Sequence, residues 1–357
     1  MRRTTRTVRI GNVIIGGDNP IAVQSMTNTL TEDTEATVKQ ILELEEAGCD
    51  IVRVTIPDKK SAAAIPEIKK NIHIPLIGDI HFDHELALLA VDNGIDKIRI
   101  NPGNIGGKEK TAEVLRSCAK ANIPVRIGVN SGSLEKDILK KYDKVTAQGM
   151  VESMSKYIGY CEEENFTNIV LSLKSSDVPL MVESYKKISS LYDYPLHLGV
   201  TEAGNIFSGS IKSSVGLGIL LYEGIGDTVR VSLTGDVKKE VKAARIILRS
   251  LGHKINGVNI ISCPTCGRTK VNLEKLVDRL EAELDGLRLN RRIDLAVMGC
   301  AVNGPGEARE ADIGIAGGIG EFLLFRKGEI IRKIPEAEVL SVLLEEISLM
   351  SEQNEDN

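Results

Sequence analysis

The sequence lacks the features that mark membrane, secreted or nucleic-acid-binding proteins. No apolar run reaches the roughly 18 residues that a membrane-spanning helix needs. The basic segment over residues 1–20 lacks the continuous apolar stretch of a secretory signal. The formal net charge is -5, which gives no reason to expect general binding to nucleic acid. We therefore expect a cytoplasmic protein that binds neither nucleic acid nor membrane.

Cysteine is also scarce, with 6 residues in a chain of 357. So few cysteines without a secretory signal argue against a disulfide framework and favour a metal or redox role. Cys49, Cys118 and Cys161 fall on predicted helices or helix ends, where cysteine packs as a small apolar side chain. The remaining three cysteines lie in the last third of the chain, and they are the candidates for chemistry.

The sequence has no early G-x-G-x-x-G motif opening a helix, which argues against a doubly wound open sheet with a dinucleotide site. Short β-branched runs alternate instead with stretches of helical spacing. There are eight such runs, at 21–28, 51–57, 74–82, 97–104, 123–133, 168–177, 194–204 and 227–236. This alternation predicts an α/β fold in which residues 1–250 form a (β/α)8 TIM barrel. The doubly wound sheet is the alternative.

The pattern changes near residues 248–259, which indicates a domain boundary. Beyond it the chain predicts a small α/β domain over 258–350, followed by a polar tail over 351–357. The predicted elements are a helix over roughly 272–285, strands over 293–300 and 311–318, a hairpin over 321–334 that turns at Lys327–Gly328, and a final helix from about Glu336.

Five of the predicted barrel strands contain a cation within or at the end of an apolar run: Arg53, Arg99, Arg126, Lys174 and Arg230. A charge in such a run is costly unless something compensates it. Barrel enzymes place their sites at the carboxyl ends of the strands, so the five cations predict a site for an anion, a diphosphate in particular. Alternatively, each cation pairs with a carboxylate inside the barrel or extends to solvent.

Polar residues accompany these cations. Asn130 and Ser232 follow the same strands and can donate hydrogen bonds to an anion. Asp79 and His81 end the third strand, and Glu202, in the segment VTEAG, ends the seventh. A carboxylate at that place can transfer a proton.

The segment SCPTCGR places Cys263 and Cys266 two residues apart, and no histidine follows them. A thioredoxin-like dithiol, a structural zinc site with four ligands and an iron–sulfur cluster with three cysteine ligands all begin from this spacing. Cys300, in the glycine-rich segment MGCAVNGPGEA, favours the cluster. Three thiolates leave one iron open, as a catalytic metal requires, and Glu307 could occupy it. Alternatively, Cys300 is a core residue and Glu307 lies on the surface.

Six segments resemble those of a known family: VQSMTNT, IRINPGNIG, RIGVNSGSL, GVTEAG, CPTCGR and VMGCAVNGPGEA. They are similar to the 4-hydroxy-3-methylbut-2-enyl diphosphate synthases, the IspG or GcpE family, in its bacterial two-domain form. The similarity extends along nearly the whole chain. It implies a TIM barrel followed by an iron–sulfur domain, and an oxidoreductase of the EC 1.17 class.

The resemblance also implies a reaction and its residues. The family reductively opens 2-C-methyl-D-erythritol 2,4-cyclodiphosphate and removes a hydroxyl group, giving the linear allylic diphosphate of the non-mevalonate isoprenoid pathway. Flavodoxin or ferredoxin supplies the electrons. Family members are homodimers in which the barrel of one subunit faces the cluster domain of another. Glu202 corresponds to the family's acidic residue in the barrel. The 4Fe-4S cluster ligands correspond to Cys263, Cys266, Cys300 and Glu307, and the diphosphate contacts to Arg53, Arg99, Arg126, Asn130 and Lys174, with Arg230 and Ser232 nearby.

Two further interpretations of the residues remain open. A barrel lyase or transferase acting on a phosphorylated substrate could contain a structural zinc in its last domain, although four zinc ligands are not evident. A non-enzymatic iron–sulfur sensor or electron carrier would leave the basic strand ends unexplained.

Overall fold

A computed structural model describes residues 2–284, 287, 289–300 and 308–352 of the chain. The chain divides into two compact units, Met1–Leu251 and Gly252–Asn357. None of the helices in the described part is both long and apolar enough to cross a membrane.

The first unit alternates strands with helices along almost its whole length. Its described strands are β1 Val8–Ile10, β2 Val13–Ile15, β3 Ala22–Met26, β4 Ile51–Thr55, β5 Leu76–Asp79, β6 Lys97–Ile100, β7 Val125–Asn130, β8 Ile169–Lys174, β9 His197–Leu198 and β10 Thr228–Val229. Its described helices are α1 Thr34–Glu46, α2 Lys59–Lys70, α3 His84–Asp92, α4 Lys108–Ala121, α5 Lys136–Tyr142, α6 Ala147–Glu163, α7 Val178–Leu191, α8 Ile206–Tyr222 and α9 Val237–Ser250.

Strands β3 to β10 form a closed ring of parallel strands. Neighbouring strands follow the order β8-β7-β6-β5-β4-β3-β10-β9, and a parallel bridge between Leu171 and Leu196 joins the two ends. Each of the eight predicted runs contains one of these strands. The TIM barrel is therefore confirmed, and the doubly wound open sheet is wrong because this sheet closes on itself.

Local chemistry explains why the elements begin where they do. The barrel strands are buried on both faces, which is why they appear in the sequence as continuous β-branched runs. Several outer helices begin at an aspartate whose carboxylate accepts a backbone N–H of the first turn. These caps are Asp33, Asp58, Asp83, Asp177 and Asp236.

The antiparallel hairpin β1–β2 was not among the sequence predictions. Its buried side chains pack against residues at the beginnings of four barrel strands. The cluster comprises Val8, Ile10 and Ile15 of the hairpin with Ala22, Ile51, Ile77 and Val170 of the barrel. The hairpin therefore covers the amino-terminal end of the ring and leaves the carboxyl end for a site.

The second unit is a five-stranded sheet with two helices on one face. Its described elements are β11 Gly257–Ser262, α10 Leu273–Leu284, β12 Arg292–Met298, β13 Ile313–Gly317, β14 Glu321–Arg326, β15 Glu329–Pro335 and α11 Val339–Glu352. The strands lie in chain order; β11, β12 and β13 are parallel, and β14 and β15 are antiparallel. The core between sheet and helices includes Leu280, Leu295, Phe322, Leu343 and Ile347.

The predicted hairpin turn at Lys327–Gly328 is confirmed. Both residues have positive φ, 46° and 82°, as a two-residue turn between twisted strands requires. The final helix α11 follows a short 3-10 turn over Glu336–Glu338. Of the predicted polar tail, residues 351 and 352 end this helix, and 353–357 lie outside the described residues.

Candidate active site

Four cations lie in the barrel interior, at different heights along their strands. Lys174 ends β8, Arg53 and Arg99 are the third residues of β4 and β6, and Arg126 is the second residue of β7. Alternation along β4 places Arg53 on the same face as Ile51, which contacts the hairpin at the opposite end of the ring. The side chains are almost fully buried, with exposures of 7% for Arg53, 6% for Arg99, 1% for Arg126 and 8% for Lys174. Lys174 lies at the carboxyl end of its strand, as the sequence predicts, whereas Arg126 lies near the beginning of β7.

Asp79 is the counter-ion of two of these cations. Arg99 Nη1 donates to Asp79 Oδ1 at 3.0 Å, and Arg53 Nε lies 3.6 Å from Asp79 Oδ2. His81 Nε2 lies 3.4 Å from the same oxygen. Burial raises the pKa of this carboxyl, but Arg53, His81 and Arg99 outweigh burial and hold the pKa well below its usual value. One carboxylate is thus shared by two arginines and stays ionised.

Glu240, on α9, has the same role toward Arg230. Its carboxylate is buried and accepts hydrogen bonds from Ser25 Oγ at 3.0 Å and from the Leu233 backbone N–H at 2.9 Å. Arg230 Nε lies 3.5 Å from Glu240 Oε2. The alternative interpretation, in which the cations pair with carboxylates inside the barrel, therefore holds for Arg53, Arg99 and Arg230.

Arg126 and Lys174 differ from the other three. In the described part of the chain neither forms an ion pair within 4.0 Å, and Arg126 Nε and Nη1 are buried without a hydrogen-bond partner. Burial first, and neighbouring cations second, lower the pKa of both side chains well below their usual values. The interior therefore contains more cations than carboxylates, and an anion would supply the missing charge.

Two glycines leave space for these long side chains. A Cβ added at Gly128 would lie 3.1 Å from Arg99 Nε, and one added at Gly199 would lie 2.9 Å from Lys174 Nζ. Side chains at these two positions would push the cations away from the strands on which they rest. At Gly199 the closest atom is the Arg230 carbonyl oxygen at 2.7 Å, so glycine there also keeps two neighbouring strands in contact.

The other predicted residues of the barrel lie around these cations. Asn130 ends β7 and is the Cα partner of Lys174 in the register of β7 and β8. Ser232 is half-buried, two residues beyond Arg230. Glu202 is exposed, four residues after the end of β9, and has a left-handed backbone with φ 52°, a conformation that a glutamate adopts only when its surroundings impose it. Their roles remain predictions.

In the second unit, Cys263 lies beside the segment that contains Cys300. Cys263 directly follows β11, and its backbone N–H donates to the Val297 carbonyl of β12 at 3.3 Å. The Gly299 backbone N–H donates to Cys263 Sγ at 3.2 Å. The carboxyl ends of two adjacent parallel strands thus place Cys263 next to Gly299 and Cys300.

Cys266 lies in an exposed turn that Thr269 closes. The Cys266 backbone N–H donates to Thr269 Oγ1 at 3.2 Å, and the Thr269 N–H donates to the Cys266 carbonyl at 2.9 Å. A Cβ on Gly299 would lie 2.9 Å from this threonine, so the turn lies against the Cys300 segment. Hydrogen bonds from the backbone and side chain of Arg268 lower the pKa of the Cys266 thiol.

Within 2–284, 287, 289–300 and 308–352, no three Cys, His, Asp or Glu residues lie close enough to hold a metal ion. The three cysteines share one edge of the sheet, but Cys266 remains in its exposed turn. Glu307, the predicted fourth ligand, lies outside the described residues.

The other three cysteines are core residues, as predicted. Cys49, Cys118 and Cys161 are buried, and burial raises the pKa of each thiol to about 12. Thiols with such values are unreactive near neutral pH.

Together, the fold and the buried cations define a TIM-barrel enzyme with a second α/β unit that carries three cysteines on one edge. Two family models match the chain, "GcpE TIM-barrel domain" over residues 5–245 and "GcpE protein C-terminal domain" over residues 259–349. The chain therefore belongs to the GcpE family, as its motifs predicted, and it is an enzyme rather than a non-enzymatic sensor.

Curated relatives agree with this family. A protein of Clostridium acetobutylicum is 56% identical over 349 residues, which cover 98% of this chain and 99% of that protein. One of Geobacillus kaustophilus is 55% identical over 352 residues, covering 99% of this chain and 94% of that protein. Both are called 4-hydroxy-3-methylbut-2-en-1-yl diphosphate synthase (flavodoxin).

Two solved dihydropteroate synthases share the fold of about seven tenths of the chain. Dihydropteroate synthase from Stenotrophomonas maltophilia has a TM-score of 0.51 at 16% identity and covers 69% of this chain and 98% of that one. The enzyme from Yersinia pestis has a TM-score of 0.50 at 13% identity, covering 70% and 100%. Similarity at this level concerns the fold and carries no statement about substrate.

Proposed function

We propose that this enzyme catalyses the reductive ring opening and dehydroxylation of 2-C-methyl-D-erythritol 2,4-cyclodiphosphate, which gives 4-hydroxy-3-methylbut-2-enyl diphosphate in the non-mevalonate isoprenoid pathway. The observation that supports this most is the excess of buried cations inside a GcpE-family barrel. Arg126 and Lys174 have no carboxylate within ion-pair distance in the described part of the chain, and a diphosphate supplies the charge that they lack.

The cations would act in both binding and chemistry. Arg53 and Arg99 hold fixed positions because Asp79 orients them, while Arg126 and Lys174 contribute charge that is not yet compensated. Asn130 and Ser232 add hydrogen-bond donors at the rim. When the ring opens, a phosphate oxygen leaves carbon and negative charge builds on the diphosphate. Cations fixed beforehand stabilise that charge without reorganising.

Glu202 is proposed as the acidic residue that donates or accepts a proton beside the substrate. Support for this role comes from its exposure and from its position four residues beyond β9. A carboxyl group acts in this way when it lies within hydrogen-bond reach of the reacting oxygen.

The second unit is proposed to hold a 4Fe-4S cluster through Cys263, Cys266 and Cys300, with Glu307 as an exchangeable fourth ligand. The donor set fits this group: three thiols share one edge of the sheet, and the Gly299 backbone N–H already donates to Cys263 Sγ, a contact typical of cluster sulfurs. The cluster would supply electrons one at a time and a Lewis-acidic iron. A structural zinc would need a fourth ligand from the protein, and the role of Glu307 rests on the resemblance alone.

The electron donor is proposed to be a flavodoxin or a ferredoxin, since the curated relatives carry flavodoxin in their names. A cytoplasmic location is part of the same proposal. The six cysteines form no disulfide with one another, as a reducing compartment favours.

A homodimer is also proposed, and helix α8 offers a surface for it. Its outward face carries large apolar side chains that are at least 40% exposed, namely Phe207, Ile211, Val215, Ile219 and Tyr222. Lys212 is the one charged residue within the helix. An uncharged apolar face of this kind does not attract an acidic carrier protein, and it is well suited to pack against its own copy across a two-fold axis.

The test of this function is chemical analysis followed by turnover. Protein purified without oxygen should contain about four irons and four sulfides per chain. With reduced flavodoxin it should convert the cyclodiphosphate into the linear allylic diphosphate, detected by mass spectrometry. One zinc and no sulfide, or no conversion by cluster-loaded protein, would contradict the proposal and leave a phosphate-binding barrel of another activity.

A further inference from the structure

Lys97 lies inside the barrel, and neither the predicted site nor the proposed mechanism uses it. Alternation along β6 places Lys97 and Arg99 on the interior face and Ile98 and Ile100 on the face toward the helices. The Cα partner of Lys97 on β5 is Ile77, a member of the apolar cluster under the hairpin. Lys97 therefore lies between the apolar cluster that contains Ile77 and the cation Arg99, which is two residues further along β6.

Nothing in the described part of the chain compensates a charge on Lys97. Its side chain is 0% exposed, and Nζ has no hydrogen-bond partner. The charged groups that act on it most strongly are other cations, Arg126 and Arg53. Burial first, and these two arginines second, lower the pKa of Lys97 well below its usual value.

Other titratable groups line the same interior from every neighbouring strand. They are Asp79 on β5, Arg99 on β6, Lys174 on β8, His197 on β9, Arg230 beyond β10 and Glu240 on α9. Both carboxylates are already engaged, Asp79 by Arg53 and Arg99 and Glu240 by Arg230. His197 is fully buried, and its Nδ1 lies 2.7 Å from Thr228 Oγ1. None of these groups is therefore available to balance the charge of an ammonium on Lys97.

We propose that Lys97 takes up a proton from solvent when the cyclic diphosphate binds, so that the barrel binds its anionic substrate together with one proton. The proposal rests on the proposed function. Without substrate, an ammonium at Nζ would face guanidinium groups with no counter-charge. The bound diphosphate supplies that charge, and a solvent proton then adds to the lone pair of Nζ. No other bond forms or breaks in this step.

The consequence is an additional cation below the diphosphate. Charge that builds on the leaving phosphate oxygen is then stabilised by Lys97 as well as by Arg126 and Lys174. Because binding takes up a proton, substrate affinity should fall as pH rises between the pKa of Lys97 in the free enzyme and its pKa in the complex. The fall is at most about tenfold per pH unit for one proton.

Calorimetry of the cluster-loaded full chain, without an electron donor, tests the proposal because no turnover can then occur. The cyclodiphosphate is titrated at one pH into buffers of different ionisation enthalpy, and the slope of the observed enthalpy gives the number of protons taken up. Both phosphates of this ligand are esterified, so the ligand itself does not titrate near neutral pH. Lys97→Met preserves the shape of the side chain without its amine and should take up about one proton fewer than the wild type.

Matched variants identify the group. Lys120→Met makes the same change at an exposed position on α4 and should take up as many protons as the wild type. Equal uptake by Lys97→Met and the wild type would overturn the proposal, as would uptake that His197→Gln abolishes and Lys97→Met retains. If Lys97→Met fails to fold, the pH dependence of substrate affinity in the wild type still tests the proposal. An affinity that does not change between pH 6 and 9 excludes proton uptake and would overturn it. Absence of any binding would instead contradict the proposed function.

Discussion

The replacement of Arg126 by methionine tests whether the buried cations lower the stability of the barrel in the absence of an anion. Arg126 is 1% exposed, with Nε and Nη1 unpartnered in the described part of the chain. Burial and the neighbouring Arg53 and Arg99 lower the pKa of its guanidinium, which means that the folded barrel disfavours the charge. Methionine fills a similar volume without charge, so Arg126→Met should be more stable than the wild type and should bind the diphosphate poorly.

The expected magnitude is moderate for stability and large for activity. Replacing buried charges by apolar side chains of similar volume stabilises proteins by about 1–4 kcal/mol in favourable cases. For a barrel of this size that corresponds to roughly 2–4 °C in Tm per kcal/mol. A lost charge-assisted hydrogen bond costs about 1.5–3 kcal/mol, and a guanidinium can form two, so kcat/KM should fall by about 100-fold or more.

The assay is thermal unfolding by circular dichroism, in buffer without phosphate or sulfate because such anions would occupy the site. Added pyrophosphate should raise the Tm of the wild type and not that of Arg126→Met. The matched control is Arg116→Met, which removes a surface arginine paired with Glu164 and should leave Tm nearly unchanged. A Tm for Arg126→Met below that of the wild type would refute the reasoning.

Three further predictions concern other parts of the molecule. Asp79→Asn leaves two buried arginines facing each other and should lower the free energy of unfolding by about 3–5 kcal/mol at pH 7. Because the pKa of this carboxyl is held below its usual value, the difference should be complete above the unfolded pKa of about 4 and should shrink as pH falls from there toward the folded pKa. Denaturant titrations that show a constant difference down to pH 3 would contradict this. Cys300→Ser should lose most of its iron and sulfide while Cys118→Ser retains both, and equal contents would remove Cys300 from the ligand set. Phe207→Glu should shift the protein from dimer to monomer in light scattering while Leu30→Glu, at another exposed apolar position, does not; a dimer in both variants would exclude the α8 face.

Much of the barrel could be predicted because parallel strands buried on both faces leave continuous β-branched runs in the sequence. The hairpin β1–β2 was missed for a physical reason. Its alternating apolar residues Val8, Ile10, Val13 and Ile15 follow a run of arginines and include Arg9, and this basic character dominated the interpretation of residues 1–20. The turn at Gly11, with φ 55°, was the local signal that could have indicated a hairpin.

The cations of the site could also be predicted, since charge within an apolar strand is rare enough to carry information. Their counter-charges could not. Glu240 lies on a helix, where a glutamate is normally solvated, and nothing in the local sequence shows that it reaches Arg230. Lys97 begins its strand, a position where lysine usually reaches solvent. The depth of each residue inside the ring follows from strand register, which the sequence does not specify.

The covering of the amino-terminal end of the ring has a consequence for the order of folding. The backbone N–H groups of Arg3 and Arg6 donate to the carbonyls of Gly224 and Asp193, and Arg2 pairs with Asp227. These residues are therefore synthesised on the order of 10–40 s before their partners, at 5–20 residues per second. Contacts so distant along the chain slow folding. A bulky fusion at the amino terminus should thus hinder closure of the ring before it affects the chemistry at the opposite end.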